Sequence, residues 1–156
     1  MEALDTLDIR LLDLLQADAS RSNQALAAAA NVSPATALRR VRRLVETGVI
    51  ERQVALVSPA RAGGLNVIVE VTLDRQGAEH LLAFEQRAVL EAAVQQCYRV
   101  SPGPDFVLML WVAEMPDYQA LVQRLFTQDA NVRNVKAFFA THRAKFEPAL
   151  GLSAVR

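Results

Sequence analysis

The segment Ser33-Pro-Ala-Thr-Ala-Leu-Arg-Arg-Val-Arg-Arg-Leu-Val-Glu-Thr-Gly48 concentrates Arg39, Arg40, Arg42 and Arg43 on one short helical pattern, with no acid before Glu46. Guanidinium groups form paired hydrogen bonds with guanine O6 and N7 or with phosphate oxygens, and a threonine methyl packs on the methyl of thymine. At about 100° per residue, Pro34, Ala37, Leu38, Val41, Leu44 and Val45 gather on one side of this helix and can close a core. Thr36, Arg39 and Arg43 lie nearly opposite, Arg40 is close to them, and Arg42 sits at the border. Ala35 and Thr36 bring the first turn into the same candidate reading face. The competing reading is a solvated charged face that binds nothing, which is common for arginine clusters on exposed helices.

What precedes this helix favours the first reading. Leu4, Leu7, Leu11, Leu12 and Leu15 keep helical spacing behind Asp5, a cap candidate. After a break at 18–21, Ser22 caps a second helix carrying Leu26, Ala29 and Ala30. Asn31, which tolerates left-handed backbone, ends it. Ser33 and Pro34 then start the third helix, and Gly48 stops it. Three short helices with a tight turn before the third form a helix-turn-helix outline. The N-termini at Ser22 and Ser33 would offer backbone N–H groups to phosphates.

Composition bounds the possibilities. Seventeen basic residues balance seventeen acidic ones over 156 residues, so any affinity for a polyanion must be local. A content of 52% hydrophobic and 22% charged residues supports a packed core and excludes a disordered chain. The single cysteine, Cys97, rules out an intramolecular disulfide and fits a reducing cytoplasm. The acidic, amphipathic start is unlike a signal peptide, and the run from Phe106 to Ala113 is too short to span a bilayer. The expectation is a cytoplasmic protein with no membrane partner.

Beyond the third helix, Val49 to Val57 reads as a connecting strand, which closes a first domain over 1–57. Residues 58–65, rich in Pro and Gly, read as a linker. From 66 to 156 the patterns alternate: a strand with Val67, Val69, Val71 and Leu73 inward, then a helix from Gly77 to about Val89 with Leu81, Leu82 and Phe84 inward. Strands at 94–101 and 105–113 follow, then a helix opened by Pro116 with Tyr118, Leu121, Val122, Leu125 and Phe126 on one face, and a last strand at 132–142. The order β-α-β-β-α-β is the ferredoxin-like plan, so the chain is α+β: a winged helix-turn-helix followed by a ferredoxin-like domain. The strand from Phe106 to Val112 does not alternate, because Val107, Met109 and Trp111 are apolar too. Two helices cover one sheet face, so the second predicts sheet-to-sheet packing between subunits. The alternative is a face covered by the chain's own termini.

The run from Leu4 to Ile50 resembles the DNA-binding half of the Lrp/AsnC (feast/famine) transcriptional regulators. The resemblance rests on Leu4 to Asp8, Leu11-Leu12, Leu26-Ala27, Ser33-Pro34, and Arg40 to Leu44 with Gly48 and Ile50. It implies a regulator that binds double-stranded DNA as a homodimer assembling to a tetramer or octamer, under control of an amino acid or related small molecule. The family's effector loop, Gly-x-x-Asp-aromatic, corresponds to the stretch Val100–Phe106. Asp105 and Phe106 match, while Pro102 stands at the glycine position and Gly103 follows. Two prolines remove backbone donors from a loop suited to a carboxylate, which leaves Ser101, Gly103 and Asp105 as contacts. Asp105 would receive the α-ammonium group. Residues of the last strand from Phe138 to Thr141, notably Phe139 and Thr141, would shape the side-chain pocket. A rigid turn that binds nothing is the alternative.

No cofactor and no metal is expected, since His80 and His142 lie far apart without ligand spacing around them. Cys97, Trp111 and the Phe138-Phe139 pair read as packing residues. No phosphate loop or catalytic nucleophile motif appears, so no catalytic residue is assigned. Two other readings stay open: a sirohaem-decarboxylase-like enzyme on the same fold, and an effector-binding assembly protein whose helix-turn-helix has lost DNA binding.

Overall fold

The computed structural model describes residues 4–152, which divide into two compact units. The first comprises the chain up to Leu56 together with the C-terminal segment from Lys145; the second runs from Val57 to Ala144. The expected second domain, 66–156, therefore gives up its end to the first unit. The expected linker is part of the second unit and contains a helical turn, Pro59–Ala62.

In the first unit, α1 (Thr6–Ala17), α2 (Asn23–Ala30) and α3 (Pro34–Glu46) each begin where a side chain satisfies the orphan N–H groups of the first turn. Asp5 accepts from the Asp8 N–H at 2.8 Å, and Asp8 accepts in return from the Asp5 N–H at 3.1 Å, a reciprocal capping box. Ser22 caps α2 through the Ala25 N–H, and Ser33 caps α3 through the Thr36 N–H, each at 3.2 Å. Asn31 is left-handed with φ of 55°, which lets the chain turn directly into α3. Leu11, Leu26, Ala27, Ala30 and Ala37 form the core, and the small alanines allow α2 to approach its neighbours closely.

Two expectations for this unit fail. Leu38 and Val45 are 48% and 51% exposed, not buried with Ala37 and Leu44. Two short helices cover only a narrow stripe of α3, and these residues flank it. Val49 to Val57 forms no strand: Ile50 donates to the Leu44 carbonyl, and beyond it no described residue supplies a ladder partner.

The second unit is a four-stranded antiparallel sheet in the order β2-β3-β1-β4, built from β1 (Leu65–Leu73), β2 (Val94–Arg99), β3 (Phe106–Val112) and β4 (Val132–Phe139). With α4 naming the turn at Pro59–Ala62, the two long helical elements are α5 (Ala78–Leu90) and α6 (Met115–Val122), the latter continued by a π-helical stretch over Gln123–Thr127. This is the expected ferredoxin-like topology. Alternate β1 and β3 residues pack with Phe84, Ala88, Leu121, Leu125 and Phe126 in one core, while Leu82 proves half exposed. Phe84 sits 4.8 Å from Phe106, ring centre to ring centre.

The opposite sheet face carries a row of cross-strand neighbours, Met109, Ile68 and Phe138, with Trp111 nearby. Phe138 is 51% exposed and Ile68 is 37% exposed, so this row of the sheet unit is open. At the edge of the row, Trp111 Nε1 donates to the Gly63 carbonyl at 3.2 Å. Gly64 makes that approach possible: its φ is 89°, and a Cβ there would lie 2.6 Å from the indole nitrogen. Gly64→Ala should therefore destabilise the sheet unit by about 2–3 kcal/mol, read as a lowered thermal midpoint; an unchanged midpoint would show that the indole simply moves aside.

Candidate nucleic-acid interface and effector loop

The four arginines of α3 separate into two pairs. Arg39 and Arg42 are exposed and make no ion pair with any described residue. Arg40 and Arg43 turn towards α1. Arg40 lies 2.5 Å from a carboxylate oxygen of Asp5 and 3.1 Å from Oδ1 of Asp8, and Arg43 lies 2.5 Å from Oδ2 of Asp8. The backbone N–H of Asp8 and then the Arg40 guanidinium hold the Asp5 carboxyl below its ordinary range; in return, hydrogen bonding to Asp5 pushes Arg40 up.

Asp8 is 1% exposed, so its guanidinium partners are costly to remove. Stripping a buried carboxylate of its partner costs about 3–5 kcal/mol, whereas an exposed ion pair returns about 1 kcal/mol or less. Arg43 therefore stays with Asp8. The outward face of α3 consists of Ala35, Arg39, Arg42 and Glu46, all exposed, with Thr36 half-buried at its edge. Arg42, which the helical wheel leaves at the border, belongs on this face, while Arg40 and Arg43 leave it.

The two cap serines behave as the sequence suggests. The hydroxyls of Ser22 and Ser33 are committed as caps, and Ser33 Oγ also meets Thr36 Oγ1 at 2.9 Å. As caps these hydroxyls accept, so the Ser22 O–H and the backbone N–H groups of the turns remain as donors for an anion. Two residues that the sequence reading missed set the helix angles. Asn23 Nδ2 donates to the Pro34 carbonyl at 2.9 Å, and Arg10 donates to the Ala29 carbonyl at 2.9 Å. Their polar side chains carry no sequence signal for these contacts, because each partner is a main-chain oxygen.

A second unforeseen feature is an apolar cavity of about 620 Å³ in the same unit, walled by Leu12, Leu15, Ile50, Val54, Leu150 and Leu152. The side-chain amide of Gln16 pairs with the main chain of Leu150 on its rim: it donates to the carbonyl at 3.1 Å and accepts from the N–H at 2.6 Å.

In the sheet unit, the loop between β2 and β3 is closed by the Val100 N–H on the Asp105 carbonyl at 3.1 Å. Ser101 and Gly103 are exposed, and Gly103 has φ of 119° with open space around it. Asp105 is not an idle carboxylate. Its Oδ2 accepts from the Leu73 N–H at 2.7 Å and from Gln76 Nε2 at 3.3 Å, so it ties the loop to the end of β1. The structure does not bring Phe139 and Thr141 to this loop. Phe139 is registered opposite Val67, whereas Asp105 follows the Val71 row at the other end of the sheet. Phe139 packs edge-on against Tyr118 with ring centres 5.0 Å apart, and exposed Thr141 lies beyond the end of β4.

Among the described residues no group of three His, Cys, Asp or Glu is placed to hold a metal. Cys97 packs against the sheet core, and burial pushes its thiol up, away from nucleophilic use. No helix among the described residues is long and apolar enough to cross a membrane.

Comparison with known proteins agrees with this two-unit division of labour. Residues 4–51 match the winged helix-turn-helix DNA-binding family, and residues 66–150 match the Lrp/AsnC ligand binding domain. An uncharacterised HTH-type transcriptional regulator of Haemophilus influenzae is 35% identical, covering 96% of this chain and 90% of that protein. The leucine-responsive regulatory protein of the same organism is 32% identical, covering 92% of this chain and 87% of that one. The crystal structure of an AsnC family transcriptional regulator from Agrobacterium tumefaciens superposes with a TM-score of 0.86 at 28% identity, covering 98% of this chain and all of that one. A capped three-helix unit with a basic outward face, joined to a ferredoxin-like sheet, thus takes its place among known proteins: the chain belongs to the Lrp/AsnC family of DNA-binding transcriptional regulators.

Proposed function

We propose that α3 reads double-stranded DNA through Ala35, Thr36 and Arg39, with Arg42 on a neighbouring phosphate and the backbone turns at Ser22 and Ser33 on flanking phosphates. The observation that carries this reading is the exposure of Arg39 and Arg42, without an acidic partner among the described residues, on the outward face of a capped helix. Arg40 and Arg43 then serve from behind by holding α3 to α1. The names of the relatives, all regulators, favour this role over a tetrapyrrole-decarboxylating enzyme or an assembly protein that has lost DNA binding.

An amino acid acts as effector on this reading, with L-leucine the first to test, because one relative is named leucine-responsive. Ser101, Gly103 and the free oxygen of Asp105 contact it in one copy. Phe139 and Thr141 contribute from another copy, since the two sets lie at opposite ends of one sheet. The subunits join through the apolar face built on Met109, Ile68 and Phe138, giving a homodimer that assembles further to a tetramer or octamer. Such a protein works in the cytoplasm.

Three measurements test these statements. With a binding site selected from random sequence, Arg39→Ala should weaken binding at least tenfold, as expected for loss of a bidentate base contact. Arg42→Ala should instead reduce the salt slope by about one unit; two variants that bind like the parent would remove α3 as the reader. Ile68→Asp should reduce the mass in light scattering from a multiple of the 17.1 kDa chain to that of a single chain; an unchanged mass would move the interface elsewhere. Asp105→Asn keeps an acceptor for the Leu73 N–H and should blunt any shift in DNA affinity produced by L-leucine or another amino acid. A full response in that variant would clear the loop of the role.

A further inference from the structure

We propose that Asp5 and Asp8 act as an internal competitor for the DNA backbone: they hold Arg40 and Arg43 away from phosphates, lower affinity for arbitrary sequence, and so make Asp5 a determinant of specificity. This rests on the reading that α3 meets DNA, and it concerns how that same face is tuned.

The argument begins with charge placement. Of the four guanidinium groups on α3, two are matched by two carboxylates of α1 at 2.5 to 3.1 Å. Phosphate oxygens would make the same charge-assisted contacts, so carboxylate and backbone compete for the same donors. Nonspecific affinity grows with the number of phosphates a protein neutralises, through counterion release. A helix with four available arginines would bind any duplex more tightly; with two engaged, this face adds the phosphate contact of Arg42 and leaves discrimination to Arg39 and the first turn.

The two acids are not equivalent. Asp8 is 1% exposed and shares a reciprocal capping box with Asp5, so releasing Arg43 or Arg40 from it leaves a buried carboxylate short of a partner. The side chain of Asp5 is 48% exposed, and that of Arg40 is 23% exposed. The outer contact of Arg40 is therefore the exchangeable one, reachable by solvent, salt and phosphate. Arg40 Nε is buried without a hydrogen-bond partner, so its guanidinium is held by these acids on one edge only. Asp5 thus has two separable roles. Its Oδ1 caps α1 through the Asp8 N–H, and its Oδ2 takes Arg40.

Those roles separate chemically. Asparagine and serine cap helices about as well as aspartate and carry no charge. Binding of the parent, Asp5→Asn and Asp5→Ser to a random-sequence duplex is measured by fluorescence anisotropy across a potassium chloride series. Both variants are expected to bind the random duplex several-fold more tightly than the parent, with a salt slope steeper by up to about one unit. Adding Arg40→Ala to either should abolish the gain. The ratio between a selected site and the random duplex should fall by the same factor. Random-duplex binding that is unchanged or weaker in both variants overturns the proposal and makes Asp5 a cap, or a group that aims Arg40 at DNA. A parent that binds no duplex in a salt-dependent way removes the DNA-reading role as well, so the two failures are distinguishable.

Discussion

The carboxylate of Asp8 has almost no contact with solvent, and its burial is tolerable only because Arg40, Arg43 and the Asp5 N–H all converge on it. That convergence fixes the rotation of α3 about its own axis relative to α1. With Arg40 and Arg43 turned inward, Ala35, Arg39 and Arg42 must face out, and the apolar stripe of Ala37 and Leu44 meets the core. Asn23 and Arg10 add main-chain clasps that set the tilt of α2. The outward placement of Arg39 and Arg42 is thus a by-product of how a buried acid is satisfied.

The sheet unit solves a different problem with different means. One face buries aromatic and aliphatic side chains under two helices, and the π-helical stretch brings both Leu125 and Phe126 into that core. The other face keeps a row of large apolar groups at the surface between polar neighbours such as Glu70 and Lys136. A monomer seldom tolerates such a row, and a closed assembly makes use of it. Placing the loop at 101–105 and the end of β4 at opposite ends of one sheet means that a site using both needs more than one copy.

Local chemistry was legible in the sequence, and long-range choices were not. The caps at Asp5, Ser22 and Ser33, the turn at Asn31 and the succession of helices and strands all follow from residues within a few positions of each other. The pairing of Arg40 and Arg43 with acids more than thirty positions earlier has no local signature. A helical wheel marks charge as outward by default, and here charge is half inward. Leu38 and Val45 misled for the converse reason: apolar spacing shows which side can be buried, not how wide a stripe two short neighbours can cover. The region after Val49 reads as a strand because its residues favour one, yet a strand exists only where another offers hydrogen bonds.

The clasp between Gln16 and Leu150 joins residues 134 positions apart within one small unit. During translation the helix-turn-helix leaves the ribosome ahead of the sheet unit, which must follow before the wall carrying Leu150 and Leu152 arrives. At roughly 5–20 residues per second, the leucines of α1 wait about 7–27 s for that cover. A fold whose first-made unit is finished by late-made residues is therefore sensitive to premature stops that leave every residue of its reading helix in place.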